Sequence, residues 1–295
     1  MKYNIIIFGE VLFDVYPDNV EKLGGAPFNV ACHLKALGCE PILITAIGDD
    51  KRGKKVKDAI KKWELKKSII TTYKNHPTGA CNVINNNGVT SFEIPDKQAF
   101  DFIKIDDDTL KKLPKKSLLY HGTLALRSNV NTETLKIIKR TIDCYKFIDL
   151  NLRAPWWRKT DVLKLLKDIH ILKLNKTEFI TLFSKEVDRV SLKEVAHNYN
   201  LDAIMLTKGS EGAEIYTKED LHLKGKKPLE KALVDEVGAG DAFSAVNILG
   251  LLNNWDFNEI LERSLELASD ICTIKGALPN NLNFYKKYIE KWGIK

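Results

Sequence analysis

The sequence predicts an α/β fold, in which a central, mostly parallel sheet carries helices on both faces and a small β-sheet lid is added. Short apolar runs bounded by turn residues alternate with helical patterns along the chain. This order is typical of parallel strands joined by crossover helices. Two further stretches carry strand patterns with no helix between them. We therefore expect one large sheet and one separate, smaller sheet.

The elements of the large sheet follow in order from the N-terminus. The apolar run Asn4 to Phe8 predicts a first buried strand. The first helix is predicted from apolar residues at Ala26, Val30 and Leu34, with Gly38 as its stop. The same reasoning predicts strands near 4–8, 42–47, 117–121, 145–150, 169–174 and 203–207, and helices near 26–37, 53–63, 131–143 and 241–252.

The smaller sheet is predicted from two early stretches. Val11 to Tyr16 forms one strand pattern, and Ala80 to Ile84 and Val89 to Ile94 form two more, joined by an Asn-Gly turn typical of a hairpin. We expect these strands to form a lid made by about residues 10–22 and 74–100. The lid belongs to a single domain that spans residues 1–295.

Composition indicates a cytoplasmic enzyme. Apolar residues make up 44% and charged residues 29% of the 295 residues, which is ordinary for a soluble protein. No apolar run approaches the roughly 20 residues of a membrane span, and the first strand is too short for a signal-peptide core. The five cysteines are odd in number and never spaced as Cys-x-x-Cys, which argues against a disulfide framework and a zinc site.

The formal net charge of +7 raises the question of nucleic-acid binding. The densest positive charge lies between Lys51 and Lys67, where Val56, Ile60 and Trp63 recur at helical spacing. The lysines are best explained as the solvated face of an amphipathic helix, because no recognition motif accompanies them. We expect no nucleic-acid partner and no membrane partner.

Residues 235–244 carry the strongest chemical signal. Gly238, Ala239 and Gly240 have little or no side chain, so their N–H groups can turn toward an anion at the start of the predicted helix that follows. Asp241 fits two roles. It is either an ordinary N-cap of that helix or a base that takes a proton from a hydroxyl about to attack phosphorus.

Other polar residues follow the predicted strands at the edge where ligands of parallel sheets bind. Each group taken alone fits a cap or a turn, so their convergence is what indicates a site. They are Gly48-Asp49-Asp50, His121-Gly122-Thr123, Asn151, Arg153, Asn175, Glu178 and Thr207-Lys208-Gly209.

Two segments resemble the signatures of a known enzyme family. Gly24 to Ala31 and Val237 to Phe243 are similar to the two motifs of the ribokinase-like (PfkB) carbohydrate kinases, and the similarity runs in the same order over nearly the whole chain. The Gly-Gly-Ala-Pro wording resembles fructokinases in particular. The resemblance implies a ribokinase-like fold and ATP-dependent phosphorylation of a primary hydroxyl of a sugar, with fructose as the expected substrate.

The resemblance also implies roles for individual residues. Asp241 would act as the base, while the amides of Gly238, Ala239 and Gly240 and the guanidinium of Arg153 would stabilise the transferring phosphoryl group. In the alternative interpretation, Asp14 is a plain exposed strand residue and Arg153 forms a surface ion pair. The implied substrate-binding residues are Asp14, Gly24, Gly25, Asn29, Asn151 and Thr123.

ATP would be held without a Walker loop, because the chain contains no such motif. The implied nucleotide-binding residues are Asn175, Thr207, Lys208, Gly209 and Gly212. Glu178 would organise Mg²⁺ through water, although Asn175 and Glu178 also fit a helix capping box, and both roles can hold at once. Asp235 and the carbonyl of Val237 are candidates for K⁺, where many relatives have Asp-Thr-Thr and this chain has Asp-Glu-Val.

The expected partners are the sugar and ATP, with a homodimer formed through the lids. Two alternatives stay open. One is a kinase for another sugar or a nucleoside, such as 2-keto-3-deoxygluconate, ribose or aminoimidazole riboside. The other is a catalytically inactive relative that binds or regulates, against which the intact Gly238, Gly240 and Asp241 argue.

Overall fold

The computed structural model describes residues 3–18, 20–86, 89–226 and 233–294. The chain divides into two compact units. The first contains the described residues of Met1–Ile5, Lys116–Leu124 and Cys144–Asn280, and the second those of Ile6–Lys115, Ala125–Asp143 and Asn281–Lys295. Within these described ranges, no helix has both the length and the apolar character needed to cross a membrane.

The strands confirm the apolar runs predicted for the large sheet and add several more. Their bounds are β1 Asn4–Phe8, β2 Leu12–Val15, β3 Glu21–Gly24, β4 Ile42–Gly48, β5 Ile69–Tyr73, β6 Gly79–Asn86, β7 Val89–Glu93, β8 Lys116–His121, β9 Asp143–Asp149, β10 Ile171–Asn175, β11 Ala203–Thr207, β12 Ala213–Thr217 and β13 His222–Gly225. The predicted Asn-Gly turn at 87–88 lies outside the described residues.

All four predicted helices are present, with ends within two residues of those expected. The helices are α1 Ala26–Ala36, α2 Lys51–Lys62, α3 Asp107–Lys112, α4 Asn129–Thr141, α5 Lys159–Leu165, α6 Lys176–Phe183, α7 Arg189–Asn198, α8 Ala239–Asn253, α9 Phe257–Ile271 and α10 Lys286–Trp292. Helix α8 is buried from Ala242 to Gly250, so no face of its middle turns meets solvent.

The sheets confirm the predicted α/β fold. Nine strands form one sheet in the order β13-β12-β11-β10-β9-β8-β1-β4-β5, and four strands form a second in the order β3-β2-β6-β7. Strands β9, β10 and β11 pair in parallel, whereas β12 and β13 are antiparallel additions that the sequence patterns did not predict. The large sheet is therefore mostly parallel.

Strand register places the key polar residues of the first unit. Asn175 and Thr207 are partners where β10 and β11 end, so both stand at the carboxyl edge of the sheet. Asp149 and Lys173 are partners on β9 and β10, and partners in register project from the same face. Leu172 and Leu174 project from the other face of β10, where they are buried in an apolar cluster with the helices that follow.

The four-stranded sheet lies in the second unit. Strand β2 pairs antiparallel with β3 and parallel with β6, and β6 pairs antiparallel with β7. The sequence patterns missed β3, because Glu21 and Lys22 gave it a polar start. The separate small sheet is confirmed, and its action as a lid stays a prediction.

Candidate active site

The first turn of α8 forms the predicted phosphate cradle. The N-cap is Gly238, with the left-handed φ of 84°, and as a glycine it has no side chain that could accept from the first-turn amides. A Cβ on Gly238 would stand 2.4 Å from the Cα of Ala277, so both the backbone conformation and the packing require glycine. The first N–H groups of a helix have no acceptor within the helix, so this turn can present donors to an anion, although the Ala239 N–H here donates to the Glu236 carbonyl at 3.3 Å.

Asp241 is not the helix cap. It is the third residue of α8, while Gly238 occupies the N-cap, so the capping alternative is wrong. Its carboxylate acts electrostatically on Lys173, whose ammonium lies beneath the same turn. Asp241 therefore stands in the first turn of the helix and not at its N-cap. Its action as a base stays a prediction.

A buried polar cluster that the sequence analysis missed lies under the cradle. Asp149 accepts hydrogen bonds from Lys173 Nζ at 2.8 and 3.1 Å, from Ser244 Oγ at 2.8 Å and from Tyr120 Oη at 3.3 Å. The signal in the sequence was a lysine and an aspartate inside otherwise apolar strands, namely Ile-Leu-Lys-Leu and Phe-Ile-Asp-Leu. Their pairing depends on strands 24 residues apart in the chain, which no local pattern shows.

A cavity of about 250 Å³ joins the cradle to the predicted nucleotide loop. Four of the five predicted nucleotide-binding residues line it, together with two residues of the cradle. These residues are Asn175, Thr207, Gly209, Gly212, Ala239 and Gly240. The structure thus brings these two motifs, distant in sequence, to one concave site, which is the usual form of a small-molecule pocket.

The fifth predicted nucleotide residue, Lys208, contributes differently. Its Nζ donates to Glu214 at 2.5 Å, so the ammonium is already paired with a buried carboxylate. Its backbone N–H donates to the carbonyl of Gly212 at 2.8 Å and closes the loop. A Cβ on Gly212 would stand 2.1 Å from the carbonyl oxygen of Gly225, so this loop requires glycine there.

The rest of the cavity wall comes from α8, α9 and the segments beside them. These residues are Glu236, Phe243, Leu265, Ala268, Ser269 and Cys272. Sequence reasoning missed them, because a mostly apolar wall on two helices carries no local motif. An apolar wall opposite a glycine-rich loop suits the flat face of a base.

Glu178 and Asn175 form the predicted capping box at the start of α6. The Asn175 side chain accepts from the Glu178 N–H at 2.8 Å, and Glu178 Oε2 accepts from the Asn175 N–H at 2.9 Å. Glu178 Oε1 also accepts from the Leu152 N–H at 2.8 Å. Each carboxylate oxygen keeps a second lone pair, which fits contact with Mg²⁺ through a water ligand.

No larger metal centre accompanies Glu178. Across the described ranges, no group of three or more His, Cys, Asp or Glu residues is arranged to hold a metal ion. A single carboxylate is chemically sufficient only for a cation that keeps most of its hydration or arrives with phosphate ligands, as Mg²⁺ does.

Three further predicted residues lie at strand ends: Asn151 and Arg153 follow β9, and Thr123 follows β8. Asn151 has the left-handed φ of 44°, which asparagine tolerates better than most residues. The Thr123 hydroxyl donates to the carbonyl of Leu150, so it braces this strand end. Arg153 is exposed, and its carbonyl accepts from the Trp156 N–H at 2.8 Å. All three are thus placed at or just beyond the carboxyl end of a strand.

The predicted cation residues lie just before the cradle. Asp235 Oδ1 accepts from the Val237 N–H at 3.1 Å, and Oδ2 accepts from the Gly276 N–H at 2.9 Å. The Asp235 carboxylate therefore links the loop before α8 to Gly276. The next residue, Ala277, packs against Gly238. Whether the Val237 carbonyl also binds K⁺ stays a prediction.

The predicted sugar-binding residues lie in the second unit. A Cβ on Gly24 would stand 3.4 Å from Asp14 Oδ2, and a Cβ on Gly25 would stand 2.7 Å from the carbonyl oxygen of Glu10. Gly25 also has the left-handed φ of 103° and is the N-cap of α1. Asn29 is buried in the first turn of α1, and its N–H donates to the Gly25 carbonyl at 2.9 Å.

Known proteins match this chain over most of its length. The family model described as pfkB family carbohydrate kinase matches residues 6–282. Probable fructokinase-5 of Arabidopsis thaliana is 28% identical over 306 residues and covers 93% of both chains. A 5-dehydro-2-deoxygluconokinase of Clostridium botulinum is 25% identical over 332 residues, covering 99% of this chain and 95% of its own.

A solved structure matches the fold at lower identity. It is a fructokinase double mutant from Vibrio cholerae, described with fructose, ADP and a potassium ion bound. The TM-score is 0.78 at 19% sequence identity, and the match covers 94% of each chain. A likeness at this identity supports the fold.

Proposed function

The chain belongs to the pfkB family of carbohydrate kinases, and we propose that it transfers the terminal phosphoryl group of ATP to a primary hydroxyl of fructose. The observation that carries this proposal is the cradle at the start of α8. Ala239 and Gly240 line the cavity that Thr207 and Gly209 also line, and Asp241 follows them in the first turn of the helix. A phosphate cradle with an adjacent carboxylate suits transfer of phosphoryl to a hydroxyl.

The reaction needs one proton transfer and one displacement at phosphorus. Asp241 takes the proton of the attacking hydroxyl as the new oxygen–phosphorus bond forms, and the bond to the bridging oxygen breaks to release ADP. The first-turn amides of α8 and the Arg153 guanidinium stabilise the charge on the transferring group. Mg²⁺, when bound with ATP, supplies further neutralisation of the phosphates, and Glu178 would orient one of its water ligands.

The sugar is held by residues of the second unit in this proposal. Asp14 accepts hydrogen bonds from sugar hydroxyls, Asn29 supplies a donor and an acceptor, and Gly24 and Gly25 let the substrate approach the backbone. The sheet formed by β2, β3, β6 and β7 acts as a lid over this sugar. Closure of such a lid excludes water and limits hydrolysis of ATP.

Fructose is proposed on two grounds. The Gly-Gly-Ala-Pro segment at 24–27 resembles fructokinases, and Probable fructokinase-5 of Arabidopsis thaliana is among the most similar curated proteins. The second candidate is 5-dehydro-2-deoxygluconate, favoured by the similar identity to the kinase of Clostridium botulinum. This substrate differs from fructose in carrying a carboxylate, so its site needs a positive group that a fructose site does not.

The experiment is a coupled assay of ADP formation with a panel of acceptors. The panel contains fructose, 5-dehydro-2-deoxygluconate, 2-keto-3-deoxygluconate, ribose and aminoimidazole riboside, each with Mg²⁺ and ATP. We expect kcat/KM for fructose to exceed every other value at least about tenfold, a difference of about 1.4 kcal/mol. A higher kcat/KM for 5-dehydro-2-deoxygluconate than for fructose would assign the second candidate. No ADP formation with any acceptor would support an inactive relative.

A monovalent cation site is part of the proposal. Asp235 and the Val237 carbonyl lie directly before the cradle, and the fructokinase of Vibrio cholerae is described in a potassium-bound form. K⁺ at this position would add positive charge close to the phosphates. Replacing K⁺ by choline at constant ionic strength should lower kcat, and an unchanged kcat would remove the cation from the account.

A further inference from the structure

We propose that Lys173 is a positioning residue of the phosphate cradle, which holds a buried positive charge under the first turn of α8 through its ion pair with Asp149. The inference rests on the proposed function, because it assigns the cradle to the phosphates of ATP. It adds a residue that lies outside both sequence motifs.

The geometry of Lys173 is specific. Its side chain projects from the middle of β10, on the face opposite Leu172 and Leu174, and is 10% exposed. Its Nζ stands 3.2 Å from the position that a Cβ would occupy on Gly240. Apart from the neighbouring residues and backbone of α8 itself, no other described atom lies within 4 Å of that Cβ position. The lysine therefore reaches the underside of the cradle, where Gly240 has no side chain to separate them.

The ion pair has a direction relative to α8. Its positive end lies at Gly240, and its negative end lies at Ser244, whose Oγ donates to Asp149 at 2.8 Å. These two helix residues are four apart and share one face, about 6 Å apart along the axis. The pair is thus a dipole with its positive end toward the N-terminus of the helix. It is parallel to the dipole of the helix itself and reinforces it.

The surroundings keep Lys173 charged. Burial disfavours the ammonium, but the Asp149 carboxylate outweighs this effect and raises the pKa of Lys173 above its usual value. The carboxylates of Glu178 on α6 and Asp241 on α8 act in the same direction. Three acidic groups from β9, α6 and α8 therefore surround one cation. When a phosphoryl group enters, this cation offsets part of the negative charge gathered there.

A structural role alone does not explain this arrangement well. A buried ion pair is often no more stabilising than apolar residues of the same volume, because two charges must leave water. A role at the cradle explains why an ion pair is buried here, because the positive end of the pair lies at the cradle. The expected consequence is selective: the charge should matter for ligands that carry phosphates and not for the nucleoside part.

The test compares a phosphate-bearing ligand with a nucleoside. The double variant Asp149→Asn/Lys173→Met removes both charges together, so neither is left buried alone. Binding of a non-hydrolysable ATP analogue and of adenosine is measured by titration calorimetry on the full chain, with and without Mg²⁺. We expect the affinity for the analogue to fall at least about tenfold, while that for adenosine stays within about twofold.

The matched control is Tyr120→Phe. It removes a hydrogen bond of 3.3 Å from an uncharged hydroxyl to Asp149 and leaves the side chains of Lys173 and Asp149 in place. Both ligands should bind this variant within about twofold of the wild type. Equal loss of both ligands in the double variant would make the pair merely structural, and loss of neither would show that its charge does not reach the phosphates. Either result overturns the proposal.

A second variant covers failure of the double variant to fold. Lys173→Gln keeps a donor for Asp149 but removes the positive charge, so binding of the analogue should again weaken selectively. Failure of the proposed kinase function can be distinguished from failure of this inference about Lys173. Wild-type protein that binds the analogue but phosphorylates no sugar would refute the kinase assignment, while the binding comparison would still decide the role of Lys173.

Discussion

Gly238 and Asp241 occupy the same helix turn for different physical reasons. Gly238 is required by a left-handed backbone and by contact with Ala277, and the sequence alone indicated such a glycine. Asp241 fitted two roles in the sequence. Only the position of the helix start, one residue after Gly238, excludes the capping role. At this scale, residue type predicts conformation well, but the role of a carboxylate depends on where its helix begins.

Lys208 and Lys173 show the limit of residue-level prediction. The sequence indicated Lys208 because it lies in a motif, yet its ammonium pairs with Glu214 and only its backbone shapes the loop. Lys173 lies in no motif, yet its ammonium lies under the cradle. Side-chain direction depends on strand alternation and on partners far along the chain, which a local pattern does not contain.

Asp14→Ala tests the sugar assignment at the residue scale. Asp14 lies on β2, with its carboxylate next to Gly24. Removing it should raise the KM for the sugar by the equivalent of one or two hydrogen bonds, about 1–3 kcal/mol, and leave the affinity for ATP unchanged. Steady-state kinetics with each substrate varied in turn provide both values.

Glu93→Ala is the matched control for Asp14→Ala. Glu93 is an exposed carboxylate on β7 of the same sheet, so its loss should change neither KM. Weaker ATP binding with unchanged sugar KM in Asp14→Ala would show that the substrate assignment of this sheet is wrong.

Elements were predicted best where apolar periodicity was strong. The predicted helix at 53–63 is α2, which begins at Lys51 because Asp50 caps it. Asp50 was among the polar residues that fit a cap in the sequence, but its hydrogen bond from Thr78 could not be predicted, since Thr78 lies 28 positions away along the chain. Strands β12 and β13 were missed for a related reason: their antiparallel pairing with β11 is set by the sheet and not by their own polarity patterns.

Asp50 should stabilise the second unit in a pH-dependent manner. Burial raises the pKa of this carboxyl, but hydrogen bonds from the Thr78 N–H, the Gly53 N–H and the Thr78 hydroxyl outweigh it and hold the pKa below its usual value. A lowered pKa in the folded state means that the stabilisation is present above the unfolded pKa of about 3.9 and is lost as pH falls through the folded value.

Asp50→Ala should therefore lower the free energy of unfolding at pH 7 by about 1–2 kcal/mol, the range for loss of an N-cap. The difference from the wild type should shrink below about pH 4. Urea unfolding of both proteins at several pH values measures this difference in the free energy of unfolding. The control is Asp58→Ala, which removes an exposed carboxylate within α2 and should leave the free energy of unfolding nearly unchanged at every pH. A difference for Asp50→Ala that does not depend on pH would contradict the account.

The whole molecule follows from the alternation of strands and helices that the sequence shows. The nine-stranded sheet was predicted because burial on both faces of parallel strands leaves apolar runs, and the four-stranded sheet because its strand patterns have no helix between them. The cavity between the loop at 207–212 and α8 was only partly predictable. Its glycines lie in motifs, whereas the wall that includes Phe243 and Leu265 depends on how α8 and α9 pack.

The four-stranded sheet should mediate a homodimer. Phe92 on β7 is 48% exposed and Val20, just before β3, is 47% exposed, so this sheet presents apolar side chains to solvent. Small sheets with an exposed apolar face are commonly covered by a partner, and a second copy of the chain is the expected one. Sedimentation at micromolar concentration should give twice the chain mass of 33.5 kDa.

Phe92→Asp should shift this dimer to the monomer, because a carboxylate would be buried in the interface. Val190→Asp is the control, since Val190 is 74% exposed on α7 and should leave the mass unchanged. A wild-type protein that sediments as one 33.5 kDa species would show that the predicted homodimer does not form.

The most direct measurement of the central claim is the turnover of Asp241→Asn with ATP and the best acceptor sugar. The change keeps size and polarity but removes the proton acceptor, so kcat should fall by about 10²–10⁴. Affinity for the non-hydrolysable ATP analogue and the midpoint of thermal unfolding should stay close to those of the wild type. A variant that retains near-wild-type kcat would contradict the assignment of Asp241 as the base of a sugar kinase.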